Sequence, residues 1–185
     1  MDEYIDILDE QGNYTGKVLL KSEAHAKGLF HPTIHVWLYT ADGKILLQKR
    51  SEKKDTFPGH WDVSVAGHVG AGEKPLVSAI RETREELGLH IPEKDLKKIG
   101  ICKSLKKHGP HITDKEFHHI YISPLRVPVD QLKLQETEVD EIKLMDPEEF
   151  LKVLKSPSSP DLYVFQTADY YTLVFSELKK RTGKS

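Results

Sequence analysis

Glu82, Glu85 and Glu86 stand at i, i+3 and i+4 in the stretch GHVGAGEKPLVSAIRETREELGL, residues 67–89. On a helix these positions share a face, so the three carboxylates can converge. If the face is solvated, like charges at this spacing cost roughly 0.2–0.5 kcal/mol per pair. If it is partly buried, two charges ~4 Å apart repel by about 4 kcal/mol at an effective dielectric of ~20. Three such groups then need a cation or raised pKa values. Oxygen donors with no His or Cys among them suit Mg²⁺ or Mn²⁺. The residues read either as a solvated acidic face or as half of a cation site.

The neighbours supply the helix. Pro75 fits a first turn, where its missing N–H is no loss, and Gly88 fits the position after the last turn. Leu76, Ile80, Thr83 and Leu87 recur at helical spacing as an inward stripe. Thr83 is its polar member, with a hydroxyl able to bond back to the helix backbone. Arg81 stands four before Glu85, within pairing reach.

Around this helix the pattern is mixed, with strands outnumbering helices. YIDIL and the segment after Gly12-Asn13 read as strand, turn and return strand. KSEAHAK is a short helix closed by Gly28. IHVWLYT, the turn ADGK and ILLQKR predict a hairpin. SEKKDTFPGH is a polar loop and WDVSVA a strand. KKIGICKSL, EFHHIYIS and EIKLM follow as strands, and DPEEFLKVLK as a helix. SPSSP (156–160) is a short linker, and residues 160–182 predict a terminal helix docked through its aromatics.

The chain's 185 residues suit one domain, 1–185, with an N-terminal hairpin and short helix (1–33), a core (34–155) and the C-terminal helix (160–182). Apolar content of 38% beside 30% charged residues fits a soluble globular protein. A net charge of −2 gives no bulk attraction to nucleic acid or anionic membrane. The acidic opening MDEYIDILDE lacks a signal-peptide pattern, and no apolar run approaches the ~18 residues of a membrane span. The single cysteine, Cys102, excludes an internal disulfide and a cysteine zinc cluster. A cytoplasmic protein is expected.

Gly67, Glu73, Arg81-Glu82, Glu85-Glu86 and Gly88-Leu89 fit the pattern G-x5-E-x7-R-E-U-x-E-E-x-G-U, U being aliphatic. The stretch resembles the Nudix box and departs from it only at Thr83, a matter of packing rather than chemistry. The resemblance implies an α/β (α+β mixed) fold, a mixed sheet sandwiched between helices, with the box as loop–helix–loop. It implies hydrolysis of a phosphoanhydride bond, usually in a nucleoside diphosphate linked to another moiety, with Mg²⁺ or Mn²⁺ as cofactor. It makes Glu85 and Glu86 metal ligands together with a backbone carbonyl near Gly67, and Glu82 a ligand or the base. Arg81 and Glu73 would hold loop and helix in register. The partner is a small-molecule diphosphate; no nucleic-acid or membrane partner is expected, and a homodimer is compatible with the family.

Residues 1–155 further resemble the Nudix branch closest to isopentenyl-diphosphate isomerase. That isomerase carries a cysteine before the glycine-histidine pair, and histidines near its first strand help bind its metal. Here His25, His31 and His68 occupy comparable places, as structural remnants or as a second metal site, while the cysteine position is Ala66. Without the thiol the allylic proton chemistry loses its acid-base group, and Cys102 lies on a different strand. Isomerase activity and a non-catalytic nucleotide-binding module remain as alternatives to hydrolysis. An RNA-end hydrolase would be expected to carry a basic stripe, and none is visible in the sequence.

Other residues have both a plain and a functional reading. Glu116 and Glu138 are surface glutamates or an extra acid recruited from outside the box. Arg50, Lys53 and Lys54 stay solvated or meet substrate phosphates. His118 and His119 alternate on a strand, so at most one faces a site. Trp61-Asp62 is expected to pack under the box loop.

Overall fold

The computed structural model describes residues 2–108, 112–157 and 162–183. β1 (Tyr4–Leu8) and β2 (Tyr14–Leu20) form the N-terminal hairpin, and α1 (Lys21–Lys27) ends at Gly28 in the left-handed region. Asp9 ties the hairpin turn, its carboxylate accepting from the backbone N–H of Gln11 and Asn13 at 2.9 and 2.8 Å. β3 (Phe30–Tyr39) is the spine of the sheet. It pairs in parallel with β8 (Ile112–Pro124) and antiparallel with β6 (Val65–His68). β7 (Lys97–His108) pairs antiparallel with β8.

The expected hairpin closes only at its turn. β3 and β4 (Ile45–Arg50) share one register pair, Tyr39 with Ile45, and then part. β4 continues against β9 (Val139–Met145) and β5 (Trp61–Asp62). The single strand expected over WDVSVA is split for the same reason, with β5 on one side of the gap and β6 on the other. Ser64 holds the point of divergence: its Oγ accepts from Leu38 N at 2.8 Å and donates to Leu46 O at 2.5 Å. The opening this leaves in the sheet is where the functional groups gather.

Alternation along β3 fills both faces of the sheet. Ile34, Val36 and Leu38 point to a core shared with Leu87 of α2 (Pro75–Leu87). Trp37 points to the opposite core, shared with Phe150 of α3 (Pro147–Val153) and with Tyr170, Val174 and Phe175 of α4 (Ala168–Thr182). The result is an α/β/α sandwich.

Two expectations change here. The C-terminal helix starts at Ala168, where the Thr167 hydroxyl accepts from Tyr170 N at 3.2 Å. Before it the chain is extended and joins β5, with Trp61 N donating to Leu162 O and Val164 N to Trp61 O. Trp61 therefore packs away from the box loop, under the Lys143 ammonium 3.8 Å from its ring centre. Residues 158–160 of the expected linker lie outside the described residues. No helix among those described is long and apolar enough to cross a membrane.

Candidate active site

α2 presents its carboxylates unequally. Glu82 and Glu86 face the gap between β6 and β4 and are 9% and 4% exposed, whereas the Glu85 side chain is half exposed. Glu86 accepts from Gln48 Nε2 of β4 at 3.0 Å. Glu82 lies against β6, where a Cβ on Gly67 would come within 2.4 Å of its carboxyl carbon. Burial pushes Glu82 up to about 7, against the pull of Arg81. Burial and the charge of Glu82 push Glu86 up to about 8. A solvated acidic face is excluded: two of the three acids are buried together, an arrangement that a divalent cation relieves.

Arg81 is the organiser of this side. Its Nε and Nη2 donate to the Glu73 carboxylate at 3.2 and 3.0 Å, and its Nη1 to Glu82 and Glu85 at 2.8 and 3.1 Å. Nη2 also reaches the His68 carbonyl at 3.3 Å. Glu73 in turn accepts from Ser78 Oγ at 2.5 Å and from Gly70 N at 3.3 Å. The clamp joins box loop, helix and β6. The Thr83 hydroxyl bonds back to Ala79 O at 2.7 Å, so the polar residue fits its apolar slot.

A second cluster forms around His68, the residue after Gly67 on β6. His25 of α1, His31 of β3 and His68 of β6 each offer a nitrogen within 4.8 Å of the others. The sheet register explains the meeting: Glu116 is the partner of His31, and His68 that of Thr33. His31 Nδ1 lies 3.0 Å from the Leu29 carbonyl and donates to it, and His31 Nε2 lies 3.3 Å from His25 Nε2. Glu116 Oε1 is 3.7 and 4.0 Å from Nε2 of His31 and His68. His68 Nε2 is buried with no hydrogen-bond partner among the described residues. Burial, then the neighbouring His31, hold His68 well below the usual imidazole range. Burial alone would raise Glu116, but the His31 hydrogen bond and the surrounding imidazoles hold it well below the carboxylate range. Burial opposes a charge on His31, but the Glu116 hydrogen bond and charge raise its pKa; with that proton displaced, three imidazoles beside a carboxylate are a donor set for a borderline divalent cation.

Both clusters line one cavity of about 570 Å³. Arg50 and Lys54 also line it, but both are engaged. Arg50 donates to the Thr56 carbonyl and to Asp62 at 3.3 Å, and Lys54 pairs with Glu138. Lys53 is exposed and forms no part of the wall. Ala66 lines the cavity and Cys102 does not; the cysteine sits half-buried on β7 opposite His118. His118 is buried and His119 partly exposed, on opposite faces of β8. Gly88 closes α2 in the left-handed region, with the Lys133 backbone beside it.

Sequence reasoning missed Lys106, His35 and Gln48. Lys106 lines the cavity with no ion pair or hydrogen bond among the described residues, its ammonium 5.5 Å from the Phe57 ring, and burial lowers its pKa. In the sequence it was one lysine of a commonplace pair. Only its register opposite Asp114 turns it inward.

A family model described as NUDIX domain matches residues 29–165. An uncharacterised Nudix hydrolase of Clostridium acetobutylicum is 40% identical over 141 residues, covering 75% of this chain and 67% of that protein. Nudix hydrolase 3 of Arabidopsis thaliana is 33% identical over 185 residues, covering 97% of this chain, which spans only 24% of that protein's length. Among solved structures, a Deinococcus radiodurans protein, DR0079, superposes with a TM-score of 0.68 at 19% identity, covering 92% of this chain and 98% of that one.

Proposed function

This chain belongs to the Nudix family and is a Nudix-type hydrolase, and on that premise we propose that its cavity cleaves the phosphoanhydride bond of a nucleoside diphosphate linked to another moiety, with Mg²⁺ or Mn²⁺ as cofactor. The observation that carries this reading is the joint burial of Glu82 and Glu86 at the gap in the sheet. A divalent cation held there neutralises phosphate charge and lowers the pKa of a water. Glu85, Glu86 and the Gly67 backbone carbonyl hold the cation. Glu82, at about 7, is a further ligand or the group that accepts the water's proton. Arg81 and Glu73 keep these groups in register, and Lys106 meets phosphate oxygens. Residues 1–185 act as one domain on a small-molecule diphosphate in the cytoplasm, without a nucleic-acid partner.

The converging ring nitrogens of His25, His31 and His68 support a second cation site, with Glu116 as its carboxylate. An isomerase reading is disfavoured by Ala66, which puts a methyl group on the cavity wall where the isomerase carries its thiol. The test is a screen of diphosphate compounds with Mg²⁺ and with Mn²⁺, products separated by chromatography. Metal-dependent phosphate products from a nucleoside diphosphate conjugate, absent in Glu85→Gln, are expected. No cleavage of any such compound overturns the proposal.

A further inference from the structure

His31, Thr33, His35 and Trp37 share one face of β3, and His35 lines the cavity beside Ala66, its antiparallel partner on β6. From behind, the ring is held by Tyr170 of α4. The Tyr170 hydroxyl lies 2.8 Å from His35 Nδ1 and 2.8 Å from Trp37 Nε1.

The protons in this group can be placed by elimination. The indole nitrogen of Trp37 can only donate, so it donates to the phenol oxygen. Tyr170 is 1% exposed and has one proton of its own to give. If His35 Nδ1 also carried a proton, two donors would face the phenol oxygen. The buried hydroxyl hydrogen would then lack an acceptor, at a cost of about 1–3 kcal/mol. The arrangement that satisfies every group has Tyr170 donating to a bare Nδ1. The ring proton is then on Nε2. Burial keeps the imidazole neutral, with a pKa near 3.

The ring is also fixed sideways. It stacks on His118 with centroids 4.0 Å apart, and His118 is anchored through Nδ1 to the Thr33 hydroxyl at 2.8 Å. His35 Nε2 has no protein partner among the described residues and opens to the cavity rather than into the core. The small side chain of Ala66 leaves that edge uncovered.

We propose that His35 is a substrate-binding residue: Tyr170 and Trp37 lock it as the Nε2–H tautomer, and it donates that hydrogen bond to a phosphoryl oxygen of the bound diphosphate. This rests on the diphosphate reading of the cavity. It makes α4 part of the site although no α4 side chain reaches the substrate; Tyr170 is a positioning residue. A neutral donor suits this place because it adds direction without repelling a cation held by the histidines beside it.

The test is nitrogen-detected NMR of the ¹⁵N-histidine protein, with the His35 signals identified by their loss in His35→Gln. A lone-pair shift at Nδ1 and a protonated Nε2, unchanged from pH 5 to 8, are expected. Magnesium pyrophosphate should then move the Nε2–H resonance, while ³¹P line broadening reports binding independently. Tyr170→Phe should release the tautomer and weaken pyrophosphate binding about tenfold, and His35→Gln, which keeps an N–H donor, should lose less than His35→Ala. An Nδ1-protonated ring, or pyrophosphate bound with no response at Nε2–H, overturns the proposal and leaves the hydrolase reading standing. Pyrophosphate that does not bind at all overturns both. The wild-type titration decides even if a variant fails to fold.

Discussion

Gly67 and Glu82 are packed so closely that a single added methyl group on Gly67 would overlap the Glu82 carboxyl carbon, at 2.4 Å. The glycine of the box loop is thus a steric requirement of the acid opposite it. Gly67→Ala should displace Glu82, cost about 1–3 kcal/mol through overpacking and lower turnover by roughly 10²-fold, as misplacement by an ångström does. Steady-state kinetics beside a urea melt measure both. Unchanged turnover in a folded variant would remove Glu82 from the chemistry.

Glu86 contributes to the pH behaviour of the metal-free protein. Its folded pKa, about 8, lies above the unfolded value near 4.5, so the native state holds the proton more tightly than the unfolded chain. The stability this contributes is complete below about pH 4.5 and is lost as pH rises through about 8. Glu86→Gln mimics the protonated acid and can still accept from Gln48. In EDTA it should melt at the wild-type temperature near pH 5 and above it at pH 8, while turnover with metal falls by orders of magnitude. An equal difference in melting temperature at both pH values would refute the raised pKa.

How much of this could be read beforehand depends on how local each signal is. The box was legible because Arg81, Glu82, Glu85 and Glu86 follow helical spacing within a few residues, and the helix ends were legible from Pro75 and Gly88. The parting of β3 from β4 was not. Asp42-Gly43 specifies a turn, and the divergence beyond it depends on Ser64, eighteen residues after Leu46, bonding to both strands. The histidine cluster draws on α1, β3 and β6, and its carboxylate on β8, so no spacing in the chain announces it. The start of the terminal helix at Ala168 was not legible, because Tyr163 and Val164 are as apolar as the helix that follows, and only pairing with Trp61 makes them extended.

The two carboxylate and imidazole clusters should bind metal separately. Mn²⁺ titration followed by electron paramagnetic resonance is expected to resolve two classes of site in the wild type. His68→Ala should lose one class and Glu85→Gln weaken the other. Metal at 100 times the dissociation constant should stabilise the fold by about 2.7 kcal/mol per site, visible as a rise in melting temperature that EDTA reverses. If His68→Ala binds manganese as the wild type does, the imidazoles are a structural group and Glu116 only their counter-charge.

Ala66 separates hydrolase from isomerase. It stands on β6, lines the cavity, and is the antiparallel partner of His35. The isomerase reaction needs an acid-base group at that position to move a proton at carbon, and a methyl group cannot supply one. His35 does not substitute for it: burial keeps its imidazole neutral, so it holds its Nε2 proton without readily taking up a second. Cys102 lies outside the cavity, and burial raises its thiol pKa further from reactivity. The wild-type protein should therefore incorporate no deuterium into isopentenyl diphosphate in heavy water and form no dimethylallyl diphosphate. Ala66→Cys should not create that activity either, because a thiol alone brings no matching acid on the far side of the substrate. Glu82 and Glu86 meanwhile remain buried at the gap in the sheet. Deuterium exchange by the wild type would overturn this assignment, whereas phosphate release from a nucleoside diphosphate conjugate without exchange is the result expected.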